Sequence, residues 1–185
     1  MKANTNGKSL WSRAIKAIPG GNGLLSKRPD RYAPDIWPSY YSSSLGIQVN
    51  DLDGNCFLDM AQMGIGSAIL GYAHPELTDA VTETVRKGVN CTLNAPEEVM
   101  LAERLLELNP FAGGVRFAKT GGEAMAISIR IARAHTGKDK VLFSGYHGWC
   151  DWYLATNIHN KGGLDDYLIP GLSTKGVPSR LANTA

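Results

Sequence analysis

The stretch RFAKTGGEAMAISIRIARA, residues 116–134, decides how this chain is read. A strand-like run, Gly114 to Lys119, passes through Thr120-Gly121-Gly122 straight into a helical pattern from Gly122 to Ala134. Glycine weakens a helix relative to alanine, so two in succession at its start ask for a use of bare backbone. A helix N-terminus carries unpaired N–H groups and a partial positive charge. Glycines let an anion such as a phosphate come close to those groups. A tight turn capped by Thr120 accounts for the same residues equally well. The segment is neither G-x-G-x-x-G nor a P-loop. The helix has a narrow polar stripe at Glu123, Arg130 and Arg133, and its other sides are Ala, Met and Ile. It is therefore expected to be mostly buried.

Downstream, Lys140 to Ser144 reads as the next strand and leads into SGYHGWCDWY, residues 144–153. Strand ends in an α/β sheet face the ligand crevice. Tyr146 and His147 at this strand exit can wall a planar ring. Trp149, Trp152 and Tyr153, placed on the following helix, fit better as packing against the sheet. Lys119 reads as a solvated strand end rather than a phosphate ligand. His147, Cys150 and Asp151 lack a second ligand pair at metal-site spacing, and His74, His135 and His159 are scattered, so no metal is expected. There is no G-x-S-x-G nucleophile motif.

Upstream, residues 8–18 read as a helix stopped by Pro19-Gly20-Gly21. Residues 20–44 read as an ordered, aromatic-rich loop. Residues 46–51 and 55–60 form a hairpin about Asp53-Gly54. The Gly-rich stretch 63–71 suits close packing. Pro75 to Lys87 is a helix with proline in its first turn and Gly88 at its stop. Asn94-Ala95-Pro96-Glu97 is read as a capping box for a helix reaching about Leu108. Helices and strands alternating after residue 74 imply an α/β domain with a largely parallel sheet. The expected organisation is an N-terminal segment, residues 1–60, with helix and hairpin, and the first part of a larger domain, residues 61–185.

The 185 residues are 43% hydrophobic and 19% charged, with net charge +2, which fits a packed core and argues against disorder. No basic run suggests nucleic acid, and no apolar run approaches membrane-spanning length. The N-terminus lacks a signal-peptide core. Three widely spaced cysteines, Cys56, Cys91 and Cys150, favour a reducing cytoplasm over a disulfide framework.

Taken in order, IPGG near residue 20, DLDGNCFLDM, GYAHPEL, NAPEEVMLAERL, VRFAKTGGEAMAISIRIARAHTGKDKV and GYHG resemble the N-terminal half of a class III aminotransferase of the glutamate-1-semialdehyde aminomutase type. The resemblance implies an incomplete type I pyridoxal 5′-phosphate (PLP)-dependent transferase fold. It implies PLP as cofactor, with Thr120, Gly121 and Gly122 at the phosphate, Tyr146 against the ring and His147 beside it. It also implies a small amino or keto substrate and a homodimer, with residues 91–96 as an interface loop.

The family reads S-G-T-E-A where this chain has T-G-G-E-A, so Gly122 replaces a threonine hydroxyl. Arg28 is the candidate for the substrate carboxylate, one position out of the aminomutase register, with Arg31 nearby. That offset, and the lack of a tryptophan in residues 63–71, suit an aminotransferase better than an aminomutase. The family's cofactor lysine and ring-nitrogen carboxylate belong to its second half. Residues 1–185 are therefore expected not to complete turnover alone and to be poorly soluble, with monodisperse size-exclusion behaviour as the contrary result. A half-length protein that binds a partner or PLP without catalysis is the other reading.

Overall fold

A computed structural model describes residues 5–34, 36–158 and 173–185. The chain forms two compact units, Met1–Leu93 and Asn94–Ala185.

In the first unit, helix α1 spans Thr5–Ala17 and begins a turn earlier than its apolar pattern suggests. The cause is distant in sequence. The Asp53 carboxylate accepts hydrogen bonds from the Asn6 backbone N–H at 3.1 Å and from Asn6 Nδ2 at 2.8 Å, so the hairpin turn supplies the helix with an N-terminal anion. The helix stops at Pro19-Gly20-Gly21 as expected. Gly21 has φ +80°, and a Cβ there would lie 2.3 Å from the Trp11 ring, so only glycine fits beneath that indole.

Three antiparallel strands follow, β1 Tyr41–Leu45, β2 Gln48–Asp51 and β3 Cys56–Leu58, in the order β1-β2-β3. The β2–β3 hairpin is the one read from Asp53-Gly54. All of β1 but Leu45 lies in the stretch read as loop, because YSSSL has no apolar alternation. Its serines bond instead: Ser42, at a register shift, donates to the Asp51 carbonyl at 2.8 Å. An isolated bridge ties the β1–β2 turn to Tyr72, with Gly46 N–H to Tyr72 O at 2.9 Å.

Asp51 is the electrostatic centre of this unit. It is 4% exposed and accepts from Asn55 Nδ2 (2.8 Å), Asn55 N–H (2.8 Å) and Asp53 N–H (2.9 Å). Burial pushes its carboxyl up, but these donors together outweigh burial and hold it below the ordinary 3.8. A carboxylate lowered on folding stabilises above its unfolded pKa, and that contribution is lost as pH falls through the folded value. Acid unfolding of this unit should therefore steepen below about pH 4. Asp51→Asn should flatten that limb, read by circular dichroism across an acid titration.

Helix α2, Pro75–Arg86, has Pro75 in its first turn and ends at Lys87, with Gly88 at φ +100°. This is the helix the sequence implies.

In the second unit, α3 spans Pro96–Leu108. The capping box expected at Asn94 is not formed. The N-cap is Ala95, which has no side-chain acceptor, and Asn94 lies one residue too early. Helix α4, Gly121–Thr136, has the capping box instead and closes at Gly137 in the left-handed region. The expected strands at 114–119 and 140–144 have no regular secondary structure and belong to no sheet among the described residues, so the parallel sheet is not formed there. A strand needs a partner ladder, and among the described residues Val141 N–H, bonded to Thr184 O at 2.9 Å, is the one backbone donor within these two runs that meets a distant carbonyl.

Without that layer α4 has no buried residue, contrary to the expectation that it would be mostly covered. The core of this unit lies elsewhere. The short helix α5, Asp151–Leu154, buries Trp152, Tyr153 and Leu154 against Met125, Ile129, Phe143, Cys150, Val177 and Ala185. Trp149 precedes this helix and is exposed, so it does not share the packing role expected of it.

Candidate functional site

The site is built on the first turn of α4. Thr120 Oγ1 accepts from Glu123 N–H at 3.2 Å, and Glu123 Oε2 accepts from Thr120 N–H at 3.1 Å and Lys119 N–H at 2.9 Å. Ala124 N–H bonds to Thr120 O at 3.0 Å. From Lys119 to Ala124 this cap engages every backbone donor except two. The N–H groups of Gly121 and Gly122 have no partner among the described residues. The capped turn expected at this junction is present. Thr120 caps the helix, and the two glycines keep their donors open at its positive end.

The opposite wall is the loop after Ser144. Gly145 (φ +80°) and Gly148 (φ +95°) turn it sharply. His147 Nε2 donates to the Ser144 carbonyl at 2.7 Å, which leaves Nδ1 as the acceptor of the neutral ring and closes the loop on itself. Tyr146 stands half-exposed with its ring edge-on to Tyr153, centroids 5.8 Å apart at 88°. Tyr153 has no exposed surface and also contacts Phe143, His147 and Trp152. Burial first, and then Tyr146, push the Tyr153 hydroxyl above its ordinary range, so it remains a neutral packing group.

Between these walls lies a cleft of about 280 Å³ lined by Gly121, Gly122, Met125, Tyr146, His147 and Gly148. Four residues singled out from the sequence line this space. Thr120 stands behind it, its N–H engaged by Glu123 and its hydroxyl proton still available. Met125 was not singled out, although it follows Gly121 by four residues and so shares its helix face.

Arg28 lies in the other unit. Its guanidinium makes a two-point pair with Asp30, Nε to Oδ1 at 3.1 Å and Nη2 to Oδ2 at 2.6 Å. The hydrogen bond to Asp30 is the main cause that raises Arg28 and lowers Asp30 from their ordinary values. Among the described residues no three His, Cys, Asp or Glu side chains form a metal-binding group, and no helix is long and apolar enough to cross a membrane. His159 lies outside the described residues.

Comparison with known proteins gives this cleft a context. The family model for aminotransferase class III matches residues 32–167. The chain belongs to the class III aminotransferase family. It is 36% identical over 157 residues to a 3-aminobutyryl-CoA aminotransferase of Cloacimonas acidaminovorans, covering 84% of this chain and 36% of that protein. It is 35% identical over 175 residues to a glutamate-1-semialdehyde 2,1-aminomutase of Methanopyrus kandleri, covering 94% and 38%. Among solved structures, a transaminase with PLP bound superposes with TM-score 0.75 at 28% identity, covering 96% of this chain and 41% of that one. An omega-transaminase from Sphaerobacter thermophilus gives 0.73 at 28% identity, covering 95% and 39%. This class III chain thus carries part of the type I PLP-dependent transferase fold, and it spans less than half the length of these relatives.

Proposed function

We propose that the cleft on α4 is the cofactor-phosphate site of a PLP-dependent aminotransferase. The observation that carries this reading is the pair of N–H groups at Gly121 and Gly122, which have no partner among the described residues and line one cleft with Tyr146. The residues present suit the group. A Cβ at Gly121 would meet no atom within 4 Å, so the backbone there is open to an anion. The cap leaves those two donors and the Thr120 hydroxyl for phosphate oxygens, while Tyr146 offers an aromatic face for the ring. His147 holds the loop that carries Tyr146. When bound, PLP supplies the electron sink for chemistry at an amine-bearing carbon.

The substrate in this reading is a small amine or keto compound, handled by a homodimer in the cytoplasm. Intermolecular transfer is favoured over migration within one molecule, since Arg28 is already paired with Asp30 rather than free for a carboxylate. Among the described residues the cleft lining contains no lysine and no carboxylate. Residues 1–185 are thus expected to hold the cofactor without turning it over.

The test is a tryptophan-fluorescence titration with pyridoxamine 5′-phosphate, which has no aldehyde to react with surface lysines, set against pyridoxamine. The phosphate ester should bind about tenfold tighter or better, as charge-assisted hydrogen bonds of roughly 1.5–3 kcal/mol imply. Equal binding of the two compounds would sink the reading.

A further inference from the structure

We propose that Cys150 is a positioning residue that sets the width of this cleft by locking the loop after Ser144 onto the first turn of α4. The inference rests on the reading of the cleft as a phosphate site, and it is carried by one hydrogen bond and two close approaches at one junction. The Cys150 thiol donates to the Gly122 carbonyl at 3.6 Å. A Cβ built on Gly122 would lie 3.2 Å from Cys150 Sγ, a separation at which the sulfur must yield. A Cβ on Gly148 would lie 3.7 Å from Gly122 Cα, so the two backbones already approach closely.

Cys150 cannot simply swing aside, because it packs on the core formed by Trp152, Tyr153 and Leu154. That core also carries Tyr146, through Tyr153, on the far wall. The thiol is thus a spacer between two surfaces that the cleft needs at a fixed separation. Gly122 is the complementary half. It has ordinary helical φ, so backbone conformation does not require glycine there, and alanine would favour the helix. The sulfur is what requires it. A side chain at 122 and a thiol at 150 are alternatives for one volume, so residue 122 can grow only if residue 150 shrinks.

The experiment is a double-mutant cycle on the 185-residue chain: parent, Gly122→Ala, Cys150→Ala and the double variant. Each is titrated with pyridoxamine 5′-phosphate and with pyridoxamine, and each is melted by circular dichroism. Gly122→Ala alone should weaken the phosphate ester about fivefold while leaving pyridoxamine unchanged. In the Cys150→Ala background the same substitution should change binding by about twofold at most. A Gly122→Ala chain that fails to fold, beside a double variant that folds, is the same coupling in its strongest form. If Gly122→Ala weakens the ester equally in both backgrounds, the new methyl obstructs the anion itself. Cys150 then has no positioning role, and the phosphate reading stands. Equal losses for ester and pyridoxamine would mean general damage and also overturn the inference. Failure of the parent to prefer the ester overturns the phosphate reading and this inference with it.

Discussion

Gly121→Pro should weaken pyridoxamine 5′-phosphate binding about tenfold or more while leaving α4 in place. Few helix positions permit so clean a removal of one donor. Gly121 follows the N-cap Thr120 and is the first helical residue, where proline is favoured because its N–H has no partner within the helix. The residue before a proline must be extended, and Thr120 already is, at φ −130° and ψ 155°. No atom lies within 4 Å of a Cβ at 121. The substitution therefore deletes one of the two free donors and little else. Gly121→Ala supplies bulk without loss of the N–H and should bind close to the parent. Helical circular dichroism confirms that α4 persists. Unchanged affinity in the proline variant would show that the Gly121 N–H does not meet the phosphate.

Tyr153→Ala should destabilise the second unit by about 3–4 kcal/mol, a large share of the stability of a small domain. Tyr153 is fully buried and meets Phe143, Tyr146, His147 and Trp152. Its removal leaves a cavity that the short α5 cannot close, and it withdraws the support of the Tyr146 ring. Urea unfolding followed by tryptophan fluorescence should show the midpoint of this unit displaced. Binding of the phosphate ester should weaken even where the chain remains folded. Tyr153→Phe keeps the ring and should lie near the parent. Little change in the alanine variant would mean that the aromatic cluster is not the core of the unit.

What was legible in the sequence was local. The junction of Thr120, Gly121 and Gly122 declares itself because a cap and its partner lie three residues apart, and the Asp53-Gly54 turn does the same for its hairpin. Tyr146 and His147 were singled out from their position after an apolar run, although that run pairs with no strand among the described residues. What was not legible depends on distant partners. The N-terminus of α1 is set by Asp53, on the β2–β3 turn. β1 is held by serine hydroxyls, which leave no apolar alternation to read. The burial of α4 was inferred from its composition, but a helix is covered only where another layer meets it. The pairing of Arg28 with Asp30 was local and could have been read, since opposite charges two residues apart in a turn can meet directly.

The stretches at 114–119 and 140–144, which belong to no sheet among the described residues, have a consequence for solvent. Backbone amides without a carbonyl partner exchange their protons with water almost as freely as those of an unfolded peptide. Val141 donates to Thr184 O, and Arg133 Nη2 donates to the same carbonyl at 3.0 Å. The Val141 amide is therefore shielded, whereas the other amides of the second stretch meet no distant carbonyl among the described residues. In deuterated buffer Val141 should be a slow site, and its rate reports whether the Thr184 carbonyl is still in place.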